Sequence, residues 1–133
     1  MNPFTNQPMI AEFQIKMEFT SLNEVINQSK RHWSQYSKFK KKHTDAVCFQ
    51  APKLDIDRKV DFHFEWHPKD KRKDHDNIAF NSKTVFDGLV DKGTIKTDRQ
   101  EVVNALFHSF VYDTKDEFVV VRIFLSKSAL GIE

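Results

Sequence analysis

A chain of 133 residues, 39% hydrophobic and 30% charged, carries enough apolar material for one folded domain over 1–133 and too much for a disordered segment. No apolar run is long enough to cross a bilayer, and MNPFTNQPMI lacks the basic start and apolar stretch of a secretory signal. A single cysteine, Cys48, excludes an internal disulfide and a thiolate zinc cluster, so the reading is a cytoplasmic protein without a membrane partner.

From Ile10 to Phe19 the residues alternate: Phe13, Ile15, Met17 and Phe19 take one face and Glu12, Gln14, Lys16 and Glu18 the other, which predicts a strand with one buried side. The period then changes. Ser21 with Glu24 makes a candidate capping box, with Asn23 the alternative cap. Val25, Ser29, Trp33 and Tyr36 form a helical stripe, predicting a long helix to about Val47. Pro52 lies in the linker that follows. Alternation returns in RKVDFHFEWH, with Val60, Phe62, Phe64 and Trp66 inward and Asp61, His63, Glu65 and His67 outward. Pro68 ends this strand.

A second helix is expected from Asn77 to just before Gly93, with Ile78, Val85, Phe86, Leu89 and Val90 on its apolar stripe. Segments Val102–Tyr112 and Glu117–Ser126 read as two strands joined by the turn DTKD. The order β-α-β-α-β-β predicts an α+β fold with two helices packed on a mixed four-stranded sheet.

The formal net charge of +2 says little, but its distribution is uneven. Lys30, Arg31, Lys38, Lys40, Lys41 and Lys42 occur without an intervening acid, and Lys69, Lys71, Arg72 and Lys73 form a second cluster. Either cluster alone is what a solvated face looks like. Two of them in a nearly neutral chain point to a polyanionic partner.

The second cluster runs straight into Asp74 and Asp76. On an extended segment the two carboxylates point the same way, with His75 opposite. Hard oxygen ligands at that spacing suit Mg²⁺ or Mn²⁺. Such pairs also begin helices, and Asp76 or Asn77 is a candidate cap for the second one. The histidines lack zinc-site spacing, and His63 and His67 are expected to face solvent. No nucleophile elbow frames a serine, and three glycines cannot supply a phosphate loop.

The longer stretch DHDNIAFNSKTVFDGLVDKGTIKTDRQEVV resembles the RusA-type Holliday-junction resolvases, a family often encoded by phages and prophages. The likeness rests on the Asp-x-Asp-Asn at Asp74, Asp76 and Asn77, then Lys83, the Asp-x-Leu at Asp87 and Leu89, and Asp98 shortly before a strand. SLNEVINQSKRHWSQYSKFKK is similar to the family's first helix, so the resemblance runs from about Phe13 to Leu125. It implies a Mg²⁺-dependent endodeoxyribonuclease, with Mn²⁺ as an alternative metal, that cleaves four-way DNA junctions as a homodimer in recombination and repair. It further implies that Asp74, Asp76 and Asp98 bind metal, that Lys83 assists catalysis, and that Asn77 and Asp87 support the site. In the family's shorter pattern the lysine lies closer to the acidic pair. Here either an unbroken helix returns Lys83 to the face of Asp76, or IAFNS bulges and Asn81 or Ser82 caps a later start. The rival readings are a structure-selective DNA-binding module without catalysis and a metal nuclease acting on other branched nucleic acid.

Overall fold

Alternation along the first expected strand produces β1 (Met9–Lys16). The computed structural model describes residues 3–4, 6–20, 33–69, 74–112 and 115–127. β1 stops three residues short of Phe19 because its ladder gives out there. The Phe19 N–H is instead taken by the Glu117 carboxylate at 3.0 Å. Met17 and Phe19 remain buried nonetheless. The described part of the first helix is α1 (Trp33–Gln50), three residues longer than expected at its C-terminal end. The final residue explains the extension: the Gln50 amide donates to Lys16 O at 2.8 Å and accepts from Lys16 N–H at 2.7 Å, tying the helix to β1. The candidate caps Ser21, Asn23 and Glu24 lie outside the described residues, as do Val25, Ser29, Lys30 and Arg31.

β2 (Val60–His67) is followed by α2 (His75–Ala79), α3 (Ser82–Lys92), β3 (Val103–Phe110) and β4 (Phe118–Leu125). The strands form one mixed sheet in the order β1-β4-β2-β3. Only β2 and β3 pair in parallel, and such a pair needs a crossover, which α2 and α3 provide. The expected α+β architecture is therefore present. Asp113 and Thr114 of the expected DTKD turn lie outside the described residues.

The inward residues of β2 stack in register with β4, so that Phe62 faces Ile123, Phe64 faces Val121 and Trp66 faces Val119. All of these side chains are fully buried beneath Ile78, Val85 and Leu89 of the crossover helices and Val47 of α1. Full burial of one such side chain contributes about 1.5–3 kcal/mol, and this row includes the three largest fully buried side chains, Trp66, Phe62 and Phe64.

The other face of β2 is not the solvent face expected from alternation. His63 and His67 are 5% and 9% exposed, and Asp61 is also buried. A central strand flanked on both sides has its outward residues covered by their neighbours. Phe107 and Arg122 flank His63, Phe118 stacks on His67 at 4.0 Å, and Gln7 reaches Asp61 from the N-terminal segment at 2.6 Å. No helix among the described residues is long and apolar enough to cross a membrane.

Candidate functional site

The acidic pair occupies the head of α2. Asp74 is extended (φ −68°, ψ 152°) and stands at the N-cap position without a side-chain capping bond. Asp76 is already in the helix, where its Oδ1 accepts the N–H of Asn77 at 3.0 Å. The helix thus starts before Asn77, and the extended-segment geometry expected for the pair does not apply. Both carboxylates are exposed. His75, between them, stacks on Phe110 with ring centres 3.9 Å apart. Lys71, Arg72 and Lys73 lie outside the described residues, whereas Lys69 is exposed and its backbone N–H reaches Glu117 Oε2 at 3.1 Å.

The expected single second helix is broken. Phe80 and Asn81 make a tight turn, with Asn81 N–H bonding Ile78 O at 3.0 Å, before α3 resumes. Asn81 holds the N-cap position, as one of the two readings of IAFNS anticipates, but its side chain does not cap. It is buried and bonds Thr20 instead, donating to Thr20 O at 2.9 Å and accepting Thr20 N–H at 3.0 Å. This amide fixes the break to the end of the β1 segment, and Lys83 follows on α3.

Three devices position the groove between α1 and α3. Gly88 lets the helices meet: a Cβ there would lie 2.5 Å from Val47 Cβ and 3.0 Å from Thr44 O. Gly93 ends α3 with φ 85°, its N–H bonding Leu89 O and Val90 O, a conformation that glycine adopts without cost. The following segment is held by an Ile56–Ile95 parallel bridge and by Thr94 Oγ1 donating to Pro52 O, and it delivers Asp98 to the groove.

The groove comprises two adjoining hollows of about 570 Å³ and about 190 Å³ that share Tyr36, Lys40 and Asp87. Asp45, Asp87, Asp91 and Asp98 line the larger with Lys40 and Lys41, four carboxylates against two ammoniums, a balance that favours cations. Lys40 and Lys83 line the smaller with Asp87, a balance that favours an anion, and its walls include Tyr36, Phe39, His43 and Phe80. Lys41 is bound to Asp45 at 2.8 Å across one helical turn, and that hydrogen bond raises its pKa. Lys40 and Lys83 enter no ion pair among the described residues, so the surface pair Lys83–Asp87 that helical spacing permits is not formed. Lys38 and Lys42 are exposed on α1 and line neither hollow.

Of the residues singled out in the sequence, the groove gathers Lys40, Lys41, Lys83, Asp87 and Asp98. Asp74 and Asp76 line neither hollow, and among the described residues no three carboxylate, imidazole or thiolate groups converge as metal ligands. The donors themselves fit a hard divalent cation: they are oxygen-only, and Asp74, Asp76 and Asp98 are exposed and in no ion pair among the described residues. Sequence reading missed Asp45, Asp91 and the aromatic walls. The signal was present in the spacing of Tyr36, Phe39, Lys40 and His43, which repeats every three or four residues along one face of α1.

A second polar constellation, also missed, lies on the far side of the sheet. Arg122 Nε donates to Glu12 at 2.6 Å and Nη1 to Glu65 at 3.2 Å, while His67 Nε2 donates to the other Glu65 oxygen at 2.7 Å. Arg122 Nη1 also approaches His63 Nδ1 at 3.4 Å. Because arginine only donates, that nitrogen accepts, and the proton sits on Nε2, which donates to Ser109 Oγ at 2.8 Å. Burial, and then the Arg122 charge, lower the His63 pKa. For Glu65 burial pushes upward, but hydrogen bonds from His67 and Arg122 outweigh it and leave the carboxyl below its ordinary value.

Compared with protein-family models and with curated proteins, the chain matches none.

Proposed function

We propose that this chain is a Mg²⁺-dependent endodeoxyribonuclease that cuts four-way DNA junctions, acting in the cytoplasm as a homodimer. The observation that carries the reading is the α1–α3 groove, where Lys83 and Lys40, free of ion pairs among the described residues, adjoin a carboxylate-lined hollow containing Asp87 and Asp98. Phosphodiester cleavage needs those two chemistries side by side: carboxylate oxygens for a cation and ammoniums for phosphate charge. The Asp74-x-Asp76-Asn77 block and its resemblance to the resolvases supply the substrate class.

The resemblance would have Asp74, Asp76 and Asp98 hold the metal, Asp98 from the groove and Asp74 and Asp76 from the head of α2, outside the groove's lining; Mn²⁺ suits the same oxygen donors. A bound Mg²⁺ supplies a more acidic attacking water and charge opposite the phosphate oxygens. Lys83 offsets the negative charge that develops as the phosphodiester bond breaks, and Lys40 holds a neighbouring phosphate. A junction is cut symmetrically when two such sites are related by a two-fold axis, which is the reason for a homodimer.

The acids and Lys83 serve chemistry and the other lysines serve binding, so Asp76→Asn separates the roles. In gel shift and cleavage assays on one labelled junction, the variant is expected to lose cleavage while binding as tightly as the parent or slightly tighter. Normal cleavage would remove Asp76 from the site.

A further inference from the structure

The smaller hollow has a composition that phosphate binding alone does not require. Four of its lining residues, Tyr36, Phe39 and His43 of α1 and Phe80 of the α2–α3 turn, carry aromatic rings. Phe39 and His43 meet edge to face at 4.5 Å. At about 190 Å³ the space is smaller than the roughly 300–1,000 Å³ typical of sites for drug-sized ligands and suits one planar ring system. Lys40 and Lys83 stand in the same lining, neither neutralised by an ion pair among the described residues; Asp87 offsets one of these two charges. Rings that accept a flat partner, with ammoniums that accept an anion beside them, are the recognition chemistry of a nucleotide within a single strand.

We propose that this hollow receives one unpaired nucleotide of the branched DNA, its base entering among Tyr36, Phe39, His43 and Phe80 and its phosphate lying against Lys40 and Lys83. The identity of the strand rests on the junction-nuclease reading above; the hollow's preference for an unpaired base does not. Linear duplex offers no such base without the cost of breaking a pair and two stacks, whereas nucleotides at a branch point are already loosened. The hollow therefore discriminates branched from linear DNA within each protomer. Lys83 belongs to both the hollow and the cleavage chemistry, so filling the hollow sets the adjoining phosphate beside the carboxylate-lined space.

The test removes the base and keeps every phosphate. Wild-type protein, without divalent metal, is titrated by fluorescence anisotropy against a four-way junction and against the same junction with abasic sites at the branch-point nucleotides. A single-stranded oligonucleotide and its fully abasic counterpart are titrated in parallel. Loss of one stacked base is expected to weaken both abasic ligands by about tenfold or more. Phe39→Leu, which keeps most of the volume and removes one of the four rings, is expected to narrow the difference between intact and abasic forms of each ligand. Equal wild-type affinity for intact and abasic forms in both pairs overturns the inference. If the single-strand pair differs while the junction binds no better than duplex, the hollow stands and the junction reading fails. If the junction is preferred and cut with Mg²⁺ but base removal has no effect, the nuclease reading stands and the hollow fails.

Discussion

Neighbouring lysines at the α1–α3 groove have different electrostatic fates. Lys41 is held by Asp45 at 2.8 Å, whereas Lys83 enters no ion pair among the described residues, although Asp87 stands one helical turn away on the same helix. An ammonium left in that state is available to a phosphate. Lys83→Ala should therefore lower junction cleavage by about a hundredfold or more while changing junction affinity only a few-fold, since one phosphate contact among many is lost. Single-turnover cleavage together with anisotropy measures both. Near-parental cleavage would return Lys83 to an ordinary surface residue. At the same scale, burial holds the pKa values of His63 and His108 below the ordinary 6.5. The unfolded chain then takes up protons that the folded chain refuses, so the stability these residues contribute is full above about 6.5 and is lost as pH falls through their lower folded values. Urea denaturation should show the midpoint falling as pH drops below 6.5, before the carboxylates titrate. A midpoint that rises on acidification through this range would contradict the burial of these imidazoles. His63 is not legible in sequence, because alternation separates the faces of a strand but does not reveal that the outer face of a central strand is itself covered. His108 lies instead on the edge strand β3, against the inner-face rings of Phe64 and Trp66, where its Nδ1 accepts from Trp66 Nε1 at 2.9 Å.

Elements were legible wherever one period ran unbroken, and less so where a tertiary contact ended them. β2 was readable from Val60 to His67 because its alternation and Pro68 agree, and the end of α3 was readable because Gly93 is the residue a left-handed cap demands. The break between α2 and α3 was only an alternative in IAFNS, since what fixes it is the Asn81–Thr20 pairing, between residues sixty-one apart in sequence. The groove depends equally on a distant contact. Gly88 in mid-helix would by propensity be improved by alanine, by about 1 kcal/mol. Against that, a Cβ at 2.5 Å from both Val47 Cβ and Cγ1 forces α1 and α3 apart, and such overpacking costs about 1–3 kcal/mol. The clash wins, so Gly88→Ala should lower the urea midpoint and weaken the groove. A variant at least as stable as the parent would mean that the helices do not meet so closely.

Across the whole molecule, composition and periodicity carried the α+β fold, because its core is one row of large β2 and β4 side chains beneath helical stripes. The site was legible in part. Lys83, Asp87 and Asp98 share one groove with Lys40 and Lys41, but the spacing of Tyr36, Phe39 and His43 marks only the α1 wall of the aromatic hollow, and nothing local announces that Phe80 of the α2–α3 turn completes it. On the proposed function, two such sites cut a four-way junction with a divalent metal. Labelled four-way junction, linear duplex and single strand of the same sequence, incubated with and without Mg²⁺, test it most directly. Paired, symmetric nicks are expected in the junction alone and only when Mg²⁺ is present. Binding of the junction with no nick at any metal concentration, or equal cleavage of all three substrates, would contradict it.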